Sequence, residues 1–226
     1  MTPFDSLRSL RAGPSTHVAG LSRGGAWSVD RHMDRDLELA LVERLRHGDP
    51  EAFDVVYEAH RARIYGFLVR LSRHRDVADD LLEETWLRLV SKAGSLRPDT
   101  RLVPWLLTVA RNLYWSHCRS QRVDEEGRGS IGLWPAVPAE PSPYDTVVGH
   151  QLANRLERAI AALPLRHREA LLLVATEGLT PAEAAEACGI TPEALRQRLA
   201  RARAAVARAL ASDEDVPVAT EREVVT

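Results

Sequence analysis

Arginine is the residue type in this sequence with the clearest chemical use, and it recurs along two predicted helices. Residues 192–203 alone carry four arginines: Arg196, Arg198, Arg201 and Arg203. A guanidinium group is planar, stays charged and donates paired hydrogen bonds, so arginines suit contacts with phosphates and with guanine edges. Lys92 is the only lysine in the chain. Binding of nucleic acid is therefore the first chemistry to consider.

These four arginines belong to a predicted helix–turn–helix over residues 179–203. Thr180 can cap the first helix, and Glu183 three residues later completes a capping box. Gly189 supplies the break, because a residue without Cβ readily takes the left-handed conformation that ends a helix. Thr191 then starts a second helix, whose arginines surround a narrow apolar stripe. A motif with so basic a second helix is a candidate reader of the DNA major groove. The plain alternative is a helical hairpin with a solvated arginine face.

A second basic helix is predicted over residues 104–122, within a stretch from 101 to 123 that contains no acidic side chain. Arginine, an aromatic ring and a polar amide on one helix, here Arg111, Trp115 and Asn112, suit phosphates and stacking on unpaired bases. Taken alone, Trp115 is equally well explained as a core or boundary residue. The stripe expected to be buried in this helix is Trp105, Val109, Ala110 and Leu113.

A third predicted helix, which begins at Asp76, carries the opposite charge. One of its faces is acidic, with Asp79, Asp80, Glu83 and Glu84. Acidic residues in the first turns stabilise the helix dipole, so a solvated face explains the pattern. The same cluster is also a plausible docking surface for a basic partner.

Composition and short motifs exclude several classes of protein. Hydrophobic residues make up 45% of the chain, charged residues 27% and aromatic residues 5%, and Ala, Leu, Arg and Glu dominate, which favours helices. Neither the two cysteines nor the eight histidines have a metal-ligand spacing. No nucleophile with a base and no glycine-rich phosphate loop is evident. We expect a protein without enzymatic activity, cofactor or metal, and a cytoplasmic location without membrane insertion.

Periodicity and linker composition predict an all-α fold of two small helical domains joined by a flexible linker. The predicted segments are a disordered extension over 1–33, a helical domain over 34–122, a Pro/Gly-rich linker over 123–144, a second helical domain over 145–211, and an acidic disordered tail over 212–226. Met33, immediately before the first periodic segment, is an alternative translation start to Met1.

Three stretches of the chain resemble the extracytoplasmic-function (ECF) type of sigma factor in the bacterial sigma-70 family. They are DVADDLLEETWLRL, PWLLTVARNLYWSHCR and LPLRHREALLLVATEGLTPAEAAEACGITPEALRQRLARAR. The first is similar to the family's second conserved region, the next to the helix that follows it, and the last to the fourth region. The resemblance covers residues 34–210 apart from the linker, and three motifs in this order are far more specific than one.

The resemblance implies a promoter-specificity subunit that joins core RNA polymerase. The expected partners are the clamp helices of the largest polymerase subunit, the flap of the second-largest subunit, and promoter DNA. The acidic third helix would contact the clamp helices through Asp76, Asp79, Asp80, Glu83 and Glu84. Many relatives are held inactive by an anti-sigma factor, which is therefore a further candidate partner.

The family's region 2 melts and reads the minus-ten promoter element, with one non-template base flipped out of the stack. Extruding a base costs a few kcal/mol, which hydrogen bonds and stacking must offset. The residues that the resemblance assigns to this element are Ser95, Asp99, Arg101, Arg111, Asn112, Trp115 and Arg119.

The family's region 4 reads the minus-thirty-five element in the major groove. The positions assigned to it are Thr191, Glu193, Arg196, Gln197, Arg198, Arg201 and Arg203. Glu193, Arg196 and Gln197 are expected at base edges, and the last three arginines at phosphates. The recognition helix has Ala194 and Leu195 where the family more often has Thr and Val, which leaves the base preference open.

Two alternatives remain open at this point. One is a transcription regulator whose helix–turn–helix binds duplex DNA without polymerase, although such a protein has no need of the acid-free basic helix. The other is a sigma-like protein that has lost initiation activity.

Overall fold

The structure is a computed structural model, and it describes residues 34–127 and 149–212. The predicted N-terminal extension, most of the linker and nearly all of the acidic tail lie outside these residues. The predicted start of the second helical domain, at residue 145, also lies outside them.

All regular structure in these two ranges is helical, which confirms the all-α prediction. The α-helices are α1 Arg35–Arg46, α2 Pro50–Ser72, α3 Arg75–Lys92, α4 Leu102–Gly127, α5 Gly149–Ala161, α6 Leu165–Leu171, α7 Pro181–Cys188 and α8 Pro192–Ser212. A 3₁₀ turn, Ala93–Ser95, follows α3, and a π-helical turn, Leu172–Thr176, follows α6. Helix α4 is longer than the predicted range 104–122.

Local signals set the ends of α2. Gly48, with a φ of 76°, turns the chain after α1. Asp49 then caps α2, since its Oδ1 accepts from the backbone N of Glu51 at 2.9 Å and of Ala52 at 3.4 Å. The helix ends at Arg73, which is left-handed with a φ of 68°, although it carries a side chain that disfavours this conformation.

The N-terminal helices α1–α4 enclose a core of aliphatic and aromatic side chains. Leu68 and Leu107 are completely buried, and Trp86 on α3 is nearly so. The ring of Trp86 meets the rings of Phe53 and Tyr57 edge-on, with centroids 6.0 and 5.0 Å away. Edge-to-face packing of this kind adds to the free energy gained by burying the rings.

Helix α4 packs with a different face from the one expected. Of the predicted stripe only Ala110 is buried, while the other three residues are half-buried. The buried side chains are instead Leu102, Leu106, Leu107, Ala110 and Tyr114. The two stripes are adjacent on the helix, and contacts with α2 and α3 select between them.

The C-terminal helices pack directly against the N-terminal ones. Helix α2 contacts α6 and the π turn, and α4 contacts α7. Arg168, which is buried, joins the two groups by donating to the backbone oxygens of Leu71 at 3.1 Å and Ala161 at 2.8 Å. The predicted boundaries of the two domains stay a prediction.

We expect Leu68→Ala to lower the free energy of unfolding by about 2–5 kcal/mol, because it leaves a cavity in a closely packed core. Val55→Ala on the same helix is the control: Val55 is 45% exposed, so its replacement should change the free energy by about 0.5 kcal/mol or less. Urea unfolding followed by circular dichroism measures both. Equal losses would contradict the placement of this core.

Candidate nucleic-acid interface

The helix–turn–helix forms as its sequence signals predict. Thr180 Oγ1 accepts from the backbone N of Glu183 at 3.2 Å, and Glu183 Oε2 accepts from the backbone N of Thr180 at 2.8 Å. Gly189 ends α7 with a φ of 63°. Thr191 caps α8, where its Oγ1 accepts from the backbone N of Ala194 at 3.2 Å. The predicted capping box and turn are confirmed.

Helix α8 buries a narrow stripe and leaves a polar face exposed. Leu195, Leu199 and Ala202 are buried, as the pattern predicts. The exposed face carries Thr191, Glu193, Arg196, Gln197, Arg201 and Arg203. All six belong to the residues assigned to the minus-thirty-five element.

Arg196 is already oriented by its own helix. Its Nη2 and Nε lie 2.5 and 3.1 Å from Glu193 Oε2. Hydrogen bonding from Arg196 holds the pKa of Glu193 below its ordinary value, so the Glu193 carboxylate stays ionised at neutral pH. The guanidinium therefore projects from the exposed face with a carboxylate beside it.

Arg198 differs from the other arginines of α8. Its side chain is only 19% exposed, and its Nη1 lies 3.9 Å from Glu169 Oε2. Its guanidinium is directed toward Glu169 of α6, so the predicted phosphate contact would require it to turn outward.

Glu169 contacts residues assigned to both DNA elements: Arg111 and Trp115 for the minus-ten element, and Arg198 for the minus-thirty-five element. Its carboxylate is completely buried, and Oε1 accepts from Arg111 Nε at 2.5 Å and from Trp115 Nε1 at 2.8 Å. The guanidinium of Arg111 lies over the Trp115 ring, 5.6 Å from its centroid, and Arg166 lies 5.8 Å from the same centroid. Arg111 and Trp115 from α4 are thus held to the C-terminal helices.

A cavity of about 330 Å³ adjoins this contact. Its charged lining comes from both groups of helices, namely Arg111, Arg119, Arg166, Arg198 and Glu169. Asn112 and Arg119 are exposed at its margin; Asn112 Oδ1 accepts from Arg111 Nη1 at 2.8 Å, and Arg119 Nη2 donates to Ser116 Oγ at 2.9 Å.

The loop before α4 holds the other three residues assigned to the minus-ten element. Ser95 is exposed and donates to the backbone oxygen of Lys92 at 2.8 Å. Asp99 accepts from Arg97 Nε at 3.1 Å and Nη2 at 3.0 Å. Arg101 forms an ion pair with Glu183 of α7. These three loop residues lie at the surface and do not belong to the cluster around Glu169.

Glu183 serves two contacts at once, the capping box and the ion pair with Arg101. Burial opposes its ionisation, but hydrogen bonds from Thr180 and the charge of Arg101 outweigh this effect and lower its pKa. Sequence reasoning identified the capping role and missed the ion pair, because Arg101 is 82 residues away.

The acidic face of α3 is open to solvent. Asp76, Asp79, Asp80 and Glu83 are exposed, whereas Glu84 is half-buried and accepts from Arg88 Nε at 2.9 Å. The face therefore presents four carboxylates at the surface, as the helical spacing predicts.

Sequence reasoning missed Glu169, Glu177 and Arg166, all of which line cavities between the N-terminal and C-terminal helices. Glu169 belongs to the stretch that resembles region 4, but nothing in the sequence indicates its burial, since a glutamate one residue after an arginine in a helix is common on solvated faces. In the described ranges, no three acidic, histidine or cysteine side chains are grouped to hold a metal ion. None of the described helices is both long and apolar enough to cross a bilayer.

Comparisons with known proteins match both halves of the chain. The family model "Sigma-70 region 2" matches residues 56–123, and "Sigma-70, region 4" matches residues 153–206. The sigma factor CarQ of Myxococcus xanthus is 36% identical over 161 residues, which cover 71% of this chain and 90% of CarQ. The ECF sigma factor EcfG of Rhodopseudomonas palustris is 35% identical over 148 residues, covering 65% of this chain and 78% of EcfG.

Two solved structures share the fold. One is the sigma factor RpoE in complex with the anti-sigma factor NepR from Bartonella quintana, with a TM-score of 0.62 and 24% identity over 71% of this chain and 98% of that one. The other is CnrH in complex with the cytosolic domain of CnrY, with a TM-score of 0.57 and 19% identity over 78% and 98% of the two chains.

We expect Cys188 to react slowly with alkylating reagents. Burial and the neighbouring Glu169 carboxylate raise the pKa of Cys188 to about 12. At pH 8 its thiolate fraction is then roughly 10³-fold below that of an ordinary cysteine, and the thiolate is the reactive form. Iodoacetamide labelling of a Cys118→Ser variant, followed by mass spectrometry, isolates this thiol. Denatured protein is the control, and comparable rates in the folded and denatured states would contradict the prediction.

Proposed function

This chain belongs to the ECF type of sigma factors in the sigma-70 family, and on that premise we propose which of its residues open and read a promoter. As a sigma factor it joins core RNA polymerase and directs it to specific promoters. The observation that best supports the residue assignments is the helix–turn–helix of α7 and α8, whose exposed face is basic while its apolar stripe is buried.

Helix α8 is proposed to enter the major groove at the minus-thirty-five element. Glu193, Arg196 and Gln197 lie in its first turns and contact base edges, where a paired Glu–Arg unit offers both an acceptor and donors. Thr191, Arg201 and Arg203 contact the backbone, which positions the helix but carries no sequence information. Arg198 also contacts the backbone, once its side chain has left Glu169.

Helix α4 and the loop before it are proposed to act at the minus-ten element. Ser95 and Asp99 are exposed and suited to hydrogen bonds with a flipped base. Arg101, Arg111, Asn112 and Arg119 contact the backbone and bases of the opened strand, and Trp115 offers its ring for stacking. Arg101, Arg111 and Trp115 must first leave their carboxylate partners.

The acidic face of α3 is proposed to bind the clamp helices of the largest polymerase subunit, and the C-terminal domain to bind the flap of the second-largest subunit. The assigned side chains are Asp76, Asp79, Asp80, Glu83 and Glu84. Complementary charge speeds docking and disfavours wrong partners. We assign no enzymatic activity to the chain and place its action in the cytoplasm, where polymerase works.

An anti-sigma factor is proposed as a further partner. The related RpoE was solved bound to the anti-sigma factor NepR, and CnrH was solved bound to a domain of CnrY. These two complexes of proteins with the same fold support a partner of this kind for the present chain.

In vitro transcription with purified core polymerase over a library of promoter fragments tests the function. We expect promoter-directed transcripts that depend on this protein. The double variant Asp80→Lys/Glu83→Lys should lose co-purification with core polymerase and transcription, because the docking charge is reversed. Asp54→Lys, an exposed change of the same kind on α2, is the control and should retain both. Failure of the unaltered protein to bind core polymerase or to yield transcripts would refute the initiation role.

Substitutions in α8 separate base reading from backbone binding. Arg196→Ala should change discrimination at one base pair of the minus-thirty-five element by about 1–3 kcal/mol. Arg203→Ala should weaken binding evenly across sequences and reduce its dependence on salt, because a phosphate contact releases counterions. Holoenzyme binding to a panel of single-base promoter variants, at two salt concentrations, measures both effects. A uniform loss for both variants would refute the assignment of Arg196.

A further inference from the structure

Four ion pairs join the two groups of helices in the described ranges, and all have the same polarity. The arginine belongs to the N-terminal helices or the loop before α4 and the carboxylate to the C-terminal helices: Arg63–Glu177, Arg70–Glu157, Arg101–Glu183 and Arg111–Glu169. The C-terminal helices therefore present four carboxylates to the N-terminal ones. Opposite charges in direct contact attract strongly where the site is shielded from water.

Two of these arginines are proposed minus-ten contacts. Arg111 Nε and Trp115 Nε1 both donate to one oxygen of Glu169, at 2.5 and 2.8 Å. A DNA phosphate or base oxygen would use the same donors, because carboxylate and phosphate oxygens accept from a guanidinium in the same way. Arg101 is held by Glu183 in the same manner. While these contacts last, the donors cannot reach a nucleic acid.

The contact also reaches the recognition helix. Arg198 of α8 is drawn inward, with its Nη1 3.9 Å from Glu169 Oε2. This oxygen is buried, and Arg198 does not come close enough to donate a hydrogen bond to it. The Arg198–Glu169 contact is therefore weaker than a hydrogen-bonded ion pair. One carboxylate thus restrains one arginine of each proposed DNA surface.

The interface is incompletely packed. Cavities of about 330 and 620 Å³ lie along it, and the larger one is lined by charged groups that include Arg35, Glu38, Arg101 and Glu177. Interfaces within a chain that are polar and loosely packed separate more easily than apolar ones. This interface is therefore suited to separation of the two groups of helices.

We propose that the C-terminal domain inhibits the N-terminal domain by acting as an internal substitute for DNA, with Glu169 as the central residue. This inference rests on the proposed role of α4 at the minus-ten element. The closed form is one state of a two-state equilibrium, and any partner that binds only the open form shifts it. Because both domains belong to one chain, the inhibitory carboxylates act at a high effective concentration.

Two kinds of variant test the proposal in the full chain. Glu169→Gln removes the central charge while it keeps the size of the side chain. Arg70→Glu breaks a pair whose side chains are 27% and 43% exposed, which makes it the safer change for folding, and Arg70→Glu/Glu157→Arg restores the pair in reverse. Glu186→Gln, an exposed carboxylate on α7, is the matched control. Circular dichroism verifies that each variant is folded.

The radius of gyration of the free protein, from small-angle X-ray scattering, reports opening. The affinity for a fluorescein-labelled, mixed-sequence single-stranded DNA of about 20 nucleotides reports release of α4. We expect Glu169→Gln and Arg70→Glu to increase the radius and to bind this DNA about tenfold more tightly. The double reversal should return both values to those of the unaltered protein, and Glu186→Gln should leave them unchanged.

An unchanged radius in both Glu169→Gln and Arg70→Glu would overturn the proposed closed state, whatever α4 binds. Opening without a gain in DNA affinity would overturn the inhibitory role. Arg111→Ala in the Glu169→Gln background then identifies the failing step: if it also leaves DNA affinity unchanged, the assignment of Arg111 to the minus-ten element is wrong as well. If it lowers the affinity, that assignment stands and only the inhibition is refuted.

Discussion

The buried carboxylate of Glu169 is the constraint on which the arrangement of the two domains depends. A carboxylate removed from water is costly unless it is paired, and its nearest partners, Arg111 and Trp115, come from another domain. Burial of Glu169 therefore depends on Arg111 and Trp115 of α4 reaching α6. The neighbouring Arg168 makes a second link between the two groups of helices, by donating to the backbone oxygens of Leu71 on α2 and Ala161 on α5.

Three of the side chains proposed to contact DNA, Arg101, Arg111 and Trp115, are among those that join the two groups of helices. Guanidinium and indole donors do not distinguish a phosphate oxygen from a carboxylate oxygen by geometry, so one surface serves both contacts. The exposed face of α8 and the acidic face of α3 lie outside this contact. On the proposed roles, the surface for polymerase is accessible in the closed form while part of the DNA surface is not.

Much of the local structure was predictable, because it depends on neighbours in sequence. The capping box at Thr180, the left-handed Gly189 and the buried stripe of α8 all follow from residues a few positions apart. Helix α4 was predictable as a helix, but not the face that it buries. Two adjacent apolar stripes fit its spacing equally well, and α2 and α3 cover the one that contains Leu106 and Leu107.

The sequence by itself determined the fold class, the family and the charge of each helix, since periodicity, caps and motifs are local. Only the tertiary structure decided which charges meet. Arg111 and Glu169 are 58 positions apart, and Arg101 and Glu183 are 82 apart. A sequence does not distinguish an arginine that contacts DNA from an arginine that pairs with an internal carboxylate, because the guanidinium is the same. Their partners are set by how the helices pack.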